Sequence, residues 1–255
     1  MSGAPAILLV GHGSARHPDS AAPILALAEA LKRAGPWSGV AAAFMKQSPG
    51  LEGALDRLDA AELVVVPVFA GKGYYTETLI PRALGLDGPV TRRDGRVLRL
   101  TAPAGCHPRI PGLLACRADG VARSGGLTAA ETSLLLIAHG SGRPGGAGET
   151  PKAIAAAIAA MNHFAEVALV FLEQEPLAEN WPDLLRGRQV VALPLLVAQG
   201  MHASQDIPPL FGLRAGQSGP VDSHGRTVRL AAGLGAEPEL VGIIADMANQ
   251  AMRQG

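Results

Sequence analysis

Short apolar runs recur along the chain, separated by longer stretches in which apolar residues return every three or four positions. In the first half the runs are residues 7–10, 40–45, 63–69 and 97–100; in the second they are 134–138, 167–172, 190–197 and 227–230. Their apolar residues are consecutive rather than alternating, the pattern of strands covered on both faces. Helix-period stretches occupy 21–34, 150–161 and 237–252. Strand–helix alternation predicts parallel sheets joined by crossovers. The expectation is an α/β fold of two similar lobes facing across a cleft, each a four-stranded parallel sheet with helices on both faces. Strand order does not follow from the pattern.

The two lobes come from self-similarity. The segment Val10-Gly11-His12-Gly13-Ser14 returns as Ile137-Ala138-His139-Gly140-Ser141, 127 residues later, and Arg16 returns as Arg143. At the same spacing, Phe44-Met45-Lys46-Gln47-Ser48-Pro49 returns as Phe171-Leu172-Glu173-Gln174-Glu175-Pro176. Val66-Pro67 meets Leu193-Pro194, and Ile80-Pro81 meets Ile207-Pro208. Gly95-Arg96 meets Gly225-Arg226 at a slightly larger offset. The period is too long for a solenoid, so a domain has been duplicated. The join falls near Ser124-Gly125-Gly126, giving repeats 1–125 and 126–255.

Composition narrows the class. With 48% hydrophobic residues among 255, the chain can bury a sizeable core. Lys plus Arg and Asp plus Glu are 22 each, so no basic surface calls for nucleic acid or an anionic membrane. Two cysteines, Cys106 and Cys116, are too few for a disulfide framework or a Cys-rich zinc site. There is no signal-peptide pattern and no apolar stretch of bilayer length, so a cytoplasmic location is expected. No phosphate loop, dinucleotide fingerprint or G-x-S-x-G elbow occurs, and no nucleotide or redox cofactor is expected.

In parallel α/β sheets ligands gather outside the carboxyl ends of the strands. In the second repeat His139 follows the first strand, Glu173 the second, and His202 lies in the loop after the third. Two imidazoles and a carboxylate suit a borderline divalent ion such as Fe²⁺, Co²⁺, Ni²⁺ or Zn²⁺. The first repeat carries His12, Lys46 and Tyr75 at the corresponding places. An ammonium repels a cation and a phenol is a poor ligand at neutral pH, so this copy reads as a degenerate site. The glycines of the two turns let backbone approach a ligand, and Gly140, Ser141 and Arg143 offer donors to carboxylates or phosphates. Met201, beside His202, completes the expected substrate contacts. Asp206 reads either as a partner orienting His202 or as an acid at a helix start.

These motifs resemble those of the class II tetrapyrrole chelatases, in particular the long, two-repeat CbiX-type sirohydrochlorin chelatases. The resemblance rests on the G-H-G-S turn, the F-L-E-Q segment and the G-x-H-x-x-x-D-I-P loop at residues 200–208. It implies flavodoxin-like lobes with a tetrapyrrole held between them, and metal handling by His139, Glu173 and His202. It further implies insertion of Fe²⁺ or Co²⁺, with Ni²⁺ as a further candidate, into sirohydrochlorin without ATP, on the route to sirohaem or cobalamin. Sirohydrochlorin is the expected partner. A monomer is expected, because the duplication can stand in for a dimer. The alternative is a non-catalytic carrier of metal or tetrapyrrole. A phosphate-ester hydrolase would need a nucleophile or a two-metal cluster, and the sequence offers neither.

Overall fold

The computed structural model describes residues 4–141, 148–197, 206–236 and 238–253. It contains two compact units, Met1–His107 with Glu237–Gly255, and Pro108–Ala236. Each has its own five-stranded sheet.

In the first unit β1 (Ala6–Gly11) lies between β2 (Gly39–Phe44) and β3 (Glu62–Pro67), both parallel to it. Next come β5 (Arg96–Leu100), parallel to β3, and β4 (Val90–Arg93), antiparallel to β5. In the second unit β6 (Ser133–Ala138) lies between β7 (Glu166–Phe171) and β8 (Gln189–Pro194). There β10 (Arg226–Leu230) pairs parallel with β8, and β9 (Val221–Ser223) antiparallel with β10. The sheets therefore have five strands rather than the expected four, and the extra strand is antiparallel. The added strands are short and mostly polar, so they give no apolar run.

Every residue of β1 and of β6 is buried, as consecutive apolar positions require. One face of the first sheet presents Leu8, Val10, Val65 and Leu98 to Leu55, Leu58 and Ile80 and to Leu84 of α2 (Ile80–Leu84). The other is covered by α1 (Ala22–Ala34) and α6 (Leu240–Arg253). Helix α1 buries Ile24, Leu27, Ala28 and Leu31; α6 buries Leu240, Ile243, Ile244, Met247 and Ala248. Both sets follow the i, i+3, i+4, i+7 stripe of a helix lying on a sheet. In the second unit α3 (Ile110–Ser124) and α4 (Glu149–Ala160) pack together, and α3 also rests on β8. Trp181 of α5 (Trp181–Leu184) and Phe211 fill the opposite core, which is joined by Leu135, Ile137, Val190 and Val228.

The sequence repeats and the compact units differ in one respect. Helix α3 closes the first repeat yet belongs to the second unit, and α6 closes the second repeat yet belongs to the first.

Candidate functional site

The strand order puts one chemistry at one edge. From β6 the chain moves to β7 on one side and then to β8 on the other, the reversal of strand order beside which parallel α/β sheets bind ligands, outside the carboxyl ends of the strands. The ladder continues one step past the strands: the N–H of Leu172 donates to the carbonyl of Ala138 (3.0 Å), and that of Glu173 to the carbonyl of His139 (2.9 Å). This register sets Glu173 alongside His139. Their side chains meet, Nδ1 of His139 lying 3.6 Å from Oε2 of Glu173. The same Nδ1 is 3.2 Å from the carbonyl oxygen of Gly140. Both side chains are open to solvent, 38% and 56% exposed, so an ion could reach them from water.

The separation is informative. Two ligand atoms about 2.1 Å from one tetrahedral metal ion stand about 3.4 Å apart. The Nδ1–Oε2 pair is close to that spacing; because the Gly140 carbonyl only accepts, one cation could bind both oxygen and ring once Nδ1 gives up that contact and its proton, or once the ring turns Nε2 toward the ion.

The turn that carries His139 is held by a residue that the motif reading passed over. Gln174 accepts the Ser141 backbone N–H at Oε1 (3.0 Å), so that N–H is committed within the protein rather than turned to a ligand. Gly140 has φ of 75°, and a Cβ there would lie 2.7 Å from Gln174 Cγ and 3.0 Å from Phe171 Cβ; only glycine fits. The first unit repeats the device: Gln47 Oε1 accepts from Ser14 N (2.7 Å) and from Ser20 Oγ (2.9 Å). The signal was present in sequence, since Gln47 and Gln174 recur at the 127-residue spacing.

Arg143, Met201 and His202 lie outside the described residues. Among the described residues no group of three or more His, Cys, Asp and Glu side chains is gathered to hold a metal. His163 lies 3.8 Å from Asp119, and His224 sits edge-on to Trp181, so both belong to other surroundings.

At the corresponding edge of the first unit the strand ladder runs on in the same way, Lys46 N–H donating to the His12 carbonyl (2.9 Å). The Tyr75 ring stands edge-on to the His12 ring, with centroids 4.7 Å apart. The residue 63 positions further along is thus in contact with the histidine after the first strand.

The CbiX family profile matches residues 6–121 and, a second time, residues 133–251. The chain belongs to the CbiX family. A probable sirohydrochlorin cobaltochelatase of Halobacterium salinarum (strain ATCC 700922 / JCM 11081 / NRC-1) is 29% identical over 80% of this chain and 75% of its own. A solved CbiX, described as the terminal enzyme for siroheme biosynthesis in denitrifying bacteria, is 29% identical and superposes with a TM-score of 0.71 over 96% of this chain and 98% of that one. A multi-domain protein of Deinococcus radiodurans, described as structurally similar to chelatases, is 30% identical with a TM-score of 0.78 over 96% of this chain. The chain spans 54% of that protein's length.

Proposed function

We propose that this chain inserts a divalent metal, Fe²⁺ or Co²⁺, into sirohydrochlorin, with the metal held in the second unit. The observation that carries this reading is the approach of His139 Nδ1 to Glu173 Oε2 at 3.6 Å, at the switch point of a CbiX-family sheet. The names of the relatives, a cobaltochelatase and an enzyme of siroheme biosynthesis, support the same substrate and both metals. An imidazole and a carboxylate accept either ion, so availability selects between them.

His202 is proposed as the third ligand. Support comes from the repeat: its first-unit counterpart, Tyr75, touches His12, the counterpart of His139. The imidazoles hold the incoming ion with positions left open for the macrocycle. Insertion releases two pyrrole protons: one is assigned to Glu173, whose charge balances the ion until the ion passes to the macrocycle, and the other to solvent. Ser141 and Arg143 are proposed to bind the peripheral carboxylates, with Gly140 and Met201 beside the macrocycle. We also propose that the enzyme acts as a monomer in the cytoplasm, two repeats in one chain standing where two chains would. Light scattering should then give the mass of one 26.1 kDa chain.

The test is an anaerobic spectrophotometric assay with sirohydrochlorin and Co²⁺ or Fe²⁺. Many turnovers per chain are expected; stoichiometric binding without turnover would make it a carrier. Glu173→Gln and His139→Ala are each expected to slow insertion on the order of 100-fold, the usual contribution of a positioned proton acceptor, with the melting temperature unchanged. An unchanged rate in both variants would remove this centre from the reaction.

A further inference from the structure

Two consecutive residues just past β7 hold the backbone around His139. The Glu173 N–H donates to the His139 carbonyl (2.9 Å), and Gln174 Oε1 accepts the Ser141 N–H (3.0 Å). The second bond reaches beyond the turn. The Ser141 N–H and the Gly140 carbonyl belong to one trans peptide, which is planar and points its two polar groups in opposite directions. An acceptor fixed at the N–H end therefore sets the direction of the carbonyl at the other end. That carbonyl lies against His139 Nδ1, 3.2 Å away.

The Gln174 amide is itself held in place. Only an oxygen can face the Ser141 N–H, so the orientation of the amide follows from its partner. Its nitrogen is turned toward Gly148, where a Cβ would lie 2.7 Å from Nε2. A side chain at 148 would push the amide away from the turn.

A carbonyl oxygen only accepts, so its contact with His139 calls for a proton on Nδ1. Glu173 Oε2, at 3.6 Å, is beyond hydrogen-bond reach and is the poorer acceptor for that proton. A neutral imidazole protonated on Nδ1 has its lone pair on Nε2. Donation from the other ring nitrogen to a carbonyl is also the common way in which a metal-binding histidine is oriented. We infer that Gln174 is a positioning residue of the metal centre: acting through the 140–141 peptide, it keeps the His139 proton on Nδ1 and assigns the ion to Nε2. The inference rests on the chelatase reading for the ion's place in a reaction.

The first unit separates this role from mere support of a turn. Gln47 holds its own turn by more bonds, accepting from Ser14 N and Ser20 Oγ and donating from Nε2 to the Pro18 carbonyl (3.1 Å). The residue before it is Lys46, where Glu173 precedes Gln174. Removing Gln47 therefore removes the same kind of bond beside an ammonium group rather than a metal-binding carboxylate.

The test combines histidine ¹⁵N NMR of the full-length, metal-free protein at alkaline pH with anaerobic Co²⁺ titration. The His139 signals, identified by their loss in His139→Ala, should show the Nδ1–H tautomer. Gln174→Leu keeps the bulk and loses the acceptor. It should convert His139 to a mixture of tautomers and weaken Co²⁺ binding on the order of 10- to 100-fold, the usual effect of removing a group that orients a metal-binding histidine. In turnover it should raise the KM for Co²⁺ while the KM for sirohydrochlorin holds. Gln174→Glu, which keeps an oxygen acceptor, should restore both the tautomer and the affinity. Gln47→Leu should lower the melting temperature and leave Co²⁺ affinity and the His139 signals unchanged. A wild-type His139 protonated on Nε2 would overturn the inference, as would equal losses of Co²⁺ affinity in Gln47→Leu and Gln174→Leu. If Gln174→Leu fails to fold, Gln174→Asn, whose amide stops one carbon short, takes its place. A protein with these signatures that binds Co²⁺ but never metallates sirohydrochlorin would sink the chelatase reading and leave the role of Gln174 standing.

Discussion

Glu166 gathers three donors onto one carboxylate oxygen: Ser133 Oγ at 2.6 Å and the N–H groups of Gly187 and Arg186 at 2.7 and 2.8 Å. Burial pushes its carboxyl up, but the Ser133 hydroxyl, the two N–H groups and the Arg186 charge outweigh it and hold the carboxyl below the ordinary glutamate value. A carboxyl lower in the folded than in the unfolded chain adds stability above its unfolded pKa, about 4.3, and loses it as pH falls through the folded value. Urea midpoints measured from pH 7 down to pH 3 should therefore fall more steeply for wild type than for Glu166→Gln. Gly187 is part of the same device, since a Cβ there would collide with Ser133 Oγ. None of this was legible in the chain, because the contacts join residues 20 and 33 positions apart. Gln174 recurs at the 127-residue spacing, but the recurrence did not say what its amide would hold. Its neighbour Glu173 was found because a carboxylate at a strand end announces itself by type and place, whereas Gln174 acts through a backbone N–H 33 residues away.

At the scale of elements, the strand pairs β4–β5 and β9–β10 are hairpins whose two-residue turns are Asp94-Gly95 and His224-Gly225, all four with positive φ. Asp-Gly is a strong hairpin signal, but the flanking Val90–Arg93 strand is too polar to register as an apolar run. The recurring Gly-Arg pair now has a reason. Arg96 donates to the carbonyls of Leu55, Leu58 and Ala60. Arg226 does the same for Pro182 and Leu185, lying over the Trp181 ring. A guanidinium opening the fourth parallel strand thus satisfies carbonyls in the connection that leads into the neighbouring strand, β3 or β8. Gly225→Ala meets no neighbour, so its cost is the backbone's alone. Chemical denaturation should show a loss of about 1 kcal/mol with activity retained.

Over the whole molecule, the last helix of each repeat packs in the unit built from the other. Ending the chain at residue 236 would strip from the first sheet a helix burying Leu240, Ile243, Ile244 and Met247. At about 1.5–3 kcal/mol per buried side chain this is on the order of a domain's whole stability. The first unit should then lose its cooperative melting transition in calorimetry while the second keeps one. Helix periodicity showed that α6 has an apolar stripe, and nothing in it named the sheet that the stripe would cover. By itself the sequence determined the duplication, the parallel α/β class and the residue types at the strand ends, since these follow from local periodicity and from internal comparison. Only the tertiary structure decided the strand order, the antiparallel edge strands, the exchange of helices and the meeting of His139 with Glu173. Each of these depends on which distant segments pair, and the free energy of such pairing is spread across contacts between segments rather than written in any one of them.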